Sequence, residues 1–163
     1  MKKIFFVLLI TAGLNTAAQE KVSISDFKPL TGKWMGTLTY LDYTSGKPYT
    51  MSCNITVIID EINIRQFVYD VEYPNEPKAN GRDTAVINTE GKMIDDERVV
   101  SNSNVKEVTK IVTEKSGVDG NDRRKALFRY TYEFSNNSFS KRKEVLFDGE
   151  DKWILRNEYK MTR

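Results

Sequence analysis

Lys141 and Lys143 alternate along one stretch of a 163-residue chain, and nearby stretches supply Tyr130, Tyr132, Asn157 and Tyr159. These residues are the best equipped for chemistry. An ammonium group removed from water without a partner is costly, so it gains a counter-charge, gives up its proton more readily, or meets an anion. Beside phenols and an amide, the two lysines could hold the carboxylate or phosphate head of an amphipathic molecule. The opposing reading sends both lysines to the rim of the fold, or pairs them with Asp42, Asp70 or Glu72. Phe67, Tyr69, Val71 and Tyr73 form an aromatic stripe at period two, which belongs inside as core or as pocket lining.

Other clusters carry less. Asp95-Asp96-Glu97 would supply paired carboxylates for glycoside hydrolysis, but adjacent acids on a strand point to opposite faces. Asp119-Gly120-Asn121-Asp122 is oxygen-rich yet lacks the spacing and terminal glutamate of a calcium loop, and reads as a hairpin tip. Arg123-Arg124-Lys125 lies where a hairpin would bring it near Asp148, Glu150 and Asp151, so mutual neutralisation is expected rather than phosphate binding. Histidine is absent. That removes Ser-His-Asp and Cys-His catalysis, His-ligated haem and the usual zinc sites, and no metal or cofactor is expected. An enzyme on this chain would have to work with Tyr, Lys or carboxylates in proton transfer, and the reading here is a non-enzyme.

These side chains need strands to position them. The separators Thr44-Ser45-Gly46-Lys47, Pro74 to Gly81, Glu90-Gly91-Lys92, Ser116 to Asp122, Ser135-Asn136-Asn137 and Asp148-Gly149-Glu150-Asp151 carry turn chemistry. Between them the pattern predicts about nine strands, near 33–43, 48–59, 64–73, 82–89, 95–101, 105–115, 124–134, 139–147 and 152–161. A single short helical turn, 24–30, precedes them, capped by Ser25 or Asp26. Long strands with short connections close into an antiparallel up-and-down barrel of about 8–10 strands, which removes exposed edges. A two-sheet sandwich is the alternative. If Tyr43 meets Pro48 across the first hairpin, then Trp34, Gly36, Leu38 and Tyr40 share a face with Met51, Cys53, Ile55, Val57 and Ile59. Pairing Phe134 with Phe139 and Phe147 with Trp153 puts Phe128, Tyr130, Tyr132, Lys141, Lys143, Trp153, Leu155, Asn157 and Tyr159 on that same inner side.

The first residues have a different character. Lys2 and Lys3, the apolar run Ile4 to Ile10 and the small-residue end Thr16-Ala17-Ala18 follow the order of a cleavable signal peptide, residues 1–18. Residues 19–163 are then of single-domain size. The formal charge of +2 falls to balance once Lys2 and Lys3 are set aside, leaving no basic field for nucleic acid. No further apolar stretch is long enough for a membrane-spanning helix. The lone Cys53 is remote from the cleavage point, so no lipid anchor is expected, and it reads as a small core residue. A periplasmic or secreted location follows.

Leu30-Thr31-Gly32-Lys33-Trp34, a Gly-x-Trp step entering the first strand after a helical turn, resembles the opening of the calycin group: lipocalins, avidins, fatty-acid-binding proteins and nitrobindin-like barrels. The resemblance implies a lipocalin-like barrel in which Trp34 plugs the closed end and a late arginine, Arg163 by parity, lies across it as a structural clasp. Such a contact is worth roughly 0.5–2 kcal/mol. It transfers no ligand. Two tryptophans, Trp34 and Trp153, are too few for a biotin site; there is no histidine for haem; Arg156 and Tyr159 lack Arg-x-Tyr spacing; and one cysteine makes no disulfide. The functional expectation is an exported bacterial barrel for a small hydrophobic or amphipathic molecule, anionic amphiphiles included, contacted by Trp34, Tyr40, Phe67, Tyr69, Tyr130, Tyr132, Lys141, Lys143, Trp153 and Tyr159. The alternative is a packed barrel without a ligand that serves as an interaction module for another envelope protein.

Overall fold

The computed structural model describes residues 21–59 and 62–163. The leader read in residues 1–18 lies outside them. Among the described residues a 3-10 segment, Ile24–Leu30, precedes ten strands. They are β1 (Gly32–Leu41), β2 (Pro48–Ile59), β3 (Gln66–Glu72), β4 (Gly81–Val86), β5 (Met93–Ile94), β6 (Glu97–Val105), β7 (Val108–Asp119), β8 (Arg124–Phe134), β9 (Ser138–Phe147) and β10 (Ile154–Thr162). The sheet order is β4-β3-β2-β1-β10-β9-β8-β7-β6-β5, antiparallel throughout. An antiparallel bridge between Ile87 and Ile94 joins the two ends, giving a nearly closed barrel.

The expected strand near 95–101 begins later and runs longer, as β6 from Glu97 to Val105, and a separate short strand, β5, precedes it. Asp95 adopts φ 53, turning the chain between β5 and β6. The expected turn beginning at Ser116 is displaced, because β7 continues to Asp119. In the first hairpin Leu41, not Tyr43, faces Pro48. That shift is by two residues, so the inner and outer faces survive it, as the two-residue period of a strand requires. Phe134 does face Phe139.

The last strand departs from its expected face in one part. Ile154 faces Val145 and Asn157 faces Lys143, so Arg156 is an extra residue, a β-bulge. From Asn157 onward the inward positions are as read. Before the bulge the faces swap: Ile154 enters, and Trp153 and Leu155 leave.

One end of the barrel is sealed by aromatic packing. Phe27 of the 3-10 segment stacks on Phe67 at 4.4 Å and lies 6.0 Å from Phe134. Trp34 packs edge-on against Phe139 at 5.8 Å and donates from its indole N–H to the Leu30 carbonyl at 2.7 Å. Phe27, Leu30, Trp34 and Phe67 are essentially without exposure. Each such side chain contributes about 1.5–3 kcal/mol of burial. Gly36 sits where β1 and β10 close on one another: an added Cβ would collide with the backbone of Lys160.

Candidate functional site

Inward-facing side chains fall into two tiers. Toward the sealed end, Cys53, Ile55, Val57, Ile111, Phe134 and Phe139 are buried together. Toward the other end, Tyr40, Met51, Val71, Tyr73, Tyr130, Lys141, Lys143, Asn157 and Tyr159 also point inward yet stay only half-buried. The barrel is therefore packed below and solvent-reaching above, in the form of a cup. A cleft of about 400 Å³ at its mouth is lined by Tyr40, Tyr43, Lys143, Arg156 and Asn157 among others.

Lys143 and Lys141 are held by strand register. Lys143 faces Tyr130 on one side and Asn157 on the other, and Lys141 faces Tyr132 and Tyr159. The ammonium of Lys141 lies 5.2 Å from the ring centre of Tyr69 and 5.0 Å from that of Tyr132. Burial lowers its pKa, and the negative charge of Glu97 opposes that shift. Glu97 enters from β6, accepting a hydrogen bond from Thr113 Oγ1 at 2.6 Å and a longer one from the Tyr132 hydroxyl at 3.5 Å. Burial raises its pKa above the usual carboxylate range, with the Thr113 hydrogen bond opposing. Tyr69 and Tyr132 are pushed well above the ordinary phenol value by burial first and by Glu97 second. The Tyr69 hydroxyl is buried without a hydrogen-bond partner. Above this floor the hydroxyls of Tyr73 and Tyr159 meet at 3.1 Å.

The mouth is organised by Asp119, whose side chain is only 5% exposed. It accepts a hydrogen bond from Tyr43 at 2.8 Å and from Arg156 Nε at 2.6 Å, and Lys143 Nζ approaches at 3.8 Å. Two cations thus share one carboxylate. Burial lowers the pKa of Lys143, with Asp119 opposing. The Arg156 guanidinium also covers the Tyr43 ring at 4.7 Å. Lys115 pairs with Asp96 at 2.9 Å and lies 5.7 Å from the Tyr130 ring.

Of the residues singled out from the sequence, Tyr40, Tyr69, Tyr130, Tyr132, Lys141, Lys143 and Tyr159 converge on the cup or its floor. Trp34 and Phe67 belong to the plug beneath. Trp153 is not inside: the Arg156 bulge turns it outward, and its ring stacks 4.0 Å from the Arg129 guanidinium, which also holds Glu114 at 2.7 Å. Arg163 lies 4.2 Å over the Trp34 ring and donates to the carbonyls of Asn136, Thr31 and Pro29 at 2.6, 2.7 and 2.8 Å. Neither lysine pairs with Asp42, Asp70 or Glu72; Asp119 takes Lys143 instead. Asp119, Arg156, Tyr43 and Glu97 are site residues the sequence reading missed as such. Only Glu97, inward by parity from Val99, carried a usable signal.

A larger groove, about 770 Å³, runs past Gly117, Ala126 and Phe147 at the far ends of β7, β8 and β9. Its charged residues, Lys125, Asp148 and Glu150, are all exposed. Half-buried charge converges on the mouth cleft instead, which makes that the better candidate. Among the described residues, no group of three or more Cys, Asp or Glu side chains is placed to hold a metal ion, and no helix is long and apolar enough to cross a membrane.

No family model and no curated protein matches the chain. Among solved structures, the crystal structure of Rv2717c from M. tuberculosis is similar with a TM-score of 0.56 at 10% identity, covering 86% of this chain and 96% of that one. At that identity the likeness is one of β-barrel fold alone.

Proposed function

We propose that this chain is a non-enzymatic, exported, lipocalin-like barrel that takes a small amphipathic molecule into its cup, apolar body inward and anionic head at the mouth. The observation that carries the reading is the mouth cleft of about 400 Å³, where Lys143 and Arg156 share the single carboxylate of Asp119. That volume lies within the range of ordinary small-molecule sites. Asp42 also borders the cleft, so its charges balance, and an incoming anion takes a cation over from Asp119; Lys143, held at 3.8 Å rather than in a short contact, is the cation freest to turn to it. Tyr40, Tyr130 and Tyr159 supply apolar ring surface that is only half-buried. Covering it with a ligand displaces water at about 25 cal/mol per Å². The same half-buried tier supports a ligand site over a solid interior built only for protein contacts.

The test is calorimetric titration of the purified protein with octanoate and longer fatty acids. Lys143→Met, which keeps the side-chain bulk, is expected to weaken binding about tenfold or more, the loss of one charged hydrogen bond. No binding by any amphiphile, or equal binding by Lys143→Met, overturns the reading.

A further inference from the structure

The floor of the cup carries groups that binding at the mouth leaves unused. Lys141 Nζ is bracketed by the rings of Tyr69 and Tyr132, and no carboxylate among the described residues makes an ion pair with it. Glu97 from β6 stands nearby, engaged with Thr113 and Tyr132. The Tyr69 hydroxyl has no partner. A buried hydroxyl left in this way costs stability, and it can donate to an oxygen brought in from outside. Lys141 as a residue keeps partial exposure, while its ammonium lies between two buried rings.

We propose that Lys141 is a covalent capture site for aldehydes, forming an imine with a ligand whose carbonyl end reaches the floor of the cup. The inference rests on the cup reading and extends it to a second class of ligand. The neutral amine attacks the carbonyl carbon; a C–N bond forms as the carbonyl π pair moves to oxygen, toward the Tyr69 hydroxyl. A proton passes from nitrogen to that oxygen, giving a carbinolamine. Glu97, a carboxylate at rest that has taken up the proton the Lys141 ammonium gave up to become the attacking amine, passes it to the carbinolamine hydroxyl, and the C–O bond breaks with release of water as the nitrogen lone pair closes the C=N bond. The products are an iminium on Lys141, the Glu97 carboxylate as its counter-ion, and one water. No oxidant or reductant is needed.

The surroundings suit each step. Burial favours the uncharged amine of Lys141, and it keeps Glu97 protonated to higher pH than a free carboxyl group. Asp83 from β4 and Asp95 from the β5–β6 turn also bias Lys141 toward its charged form, and Lys115 from β7 biases it the other way. The rings against its ammonium are those of the phenols Tyr69 and Tyr132.

The test is reductive trapping. The full chain is incubated with octanal and cyanoborohydride at neutral pH, then mapped by peptide mass. Labelling at Lys141 at least about tenfold above that of exposed lysines such as Lys33 and Lys125 is expected, and Glu97→Gln should lower the Lys141 rate by about tenfold or more. Lys141→Arg, which keeps the cation but forms no imine, should lose the adduct while retaining its circular dichroism spectrum. Labelling spread over exposed lysines with none at Lys141 overturns the inference whether or not the variants fold. Octanoate binding separates the two readings: octanoate bound without Lys141 labelling sinks only the imine, Lys141 labelled without octanoate binding sinks only the anion site at the mouth, and neither result sinks both.

Discussion

Arg156 and Asp119 meet at 2.6 Å although their strands, β10 and β7, are separated in the sheet by β9 and β8. The pair therefore spans the barrel mouth rather than a ladder. Tyr43, just beyond β1, donates to the same carboxylate, so three separate parts of the chain are tied at one buried point. With side chains 10% and 5% exposed, the pair has little water to fall back on.

Replacing Asp119 by Ala leaves Arg156 and Lys143 without their shared counter-charge. Removing one partner of a buried pair costs about 3–5 kcal/mol. Urea denaturation is the measurement, and a midpoint within error of the parent protein would contradict the mouth geometry. The double replacement Asp119→Asn with Arg156→Met should recover part of the loss, because the more deeply buried cation is removed and only Lys143, whose side chain is 22% exposed, is left without the carboxylate.

Arg163→Ala removes the guanidinium over Trp34 and three donations to carbonyls at the sealed end. The ring contact alone is worth about 0.5–2 kcal/mol. A loss of about 1–3 kcal/mol in denaturant stability is expected once the hydrogen bonds are included. Arg163→Lys keeps the charge without the planar fork and should recover only part of it. Amphiphile affinity should stay unchanged, since the plug lies at the opposite end from the mouth.

Glu97 and Lys141 give the stability a defined pH dependence. Lys141 titrates lower in the folded state than its ordinary value of 10.5, so between those two pH values the unfolded chain holds a proton the folded chain has lost. Stability from this group then rises with pH. Glu97 titrates above 4.5, so the folded chain holds the extra proton and stability from this group falls as pH rises through that interval. Glu97→Gln removes the negative charge that supports the ammonium, and the Lys141 titration followed by NMR of its ε-carbon should move to still lower pH. Movement to higher pH, or none, would show that the two groups do not interact.

The inner wall was legible because alternation survives even-numbered errors. The first hairpin slipped by two residues and still presented Trp34, Leu38 and Tyr40 inward with Cys53 and Ile55. A single extra residue is different in kind. The bulge at Arg156 reversed Trp153 and Leu155, and nothing in the pattern of β10 announces it. Asp119 was hidden for another reason: in a run of Asp, Gly and Asn it resembles any solvated turn, and only the three-dimensional meeting with Tyr43 and Arg156 makes it a buried acceptor. Glu97 was visible as an acid on a strand, but its partner Thr113 sits on the next strand, and parity names the face without naming the neighbour.

The two-tier interior separates what keeps the protein folded from what it meets. Rings below the level of Tyr132 form a foundation whose alteration is expected to fail at the stage of folding. Residues above it border open space, and their identities can drift with little penalty to the scaffold. A library confined to positions 40, 51, 71, 130 and 157 would therefore alter the choice of guest while leaving the container intact.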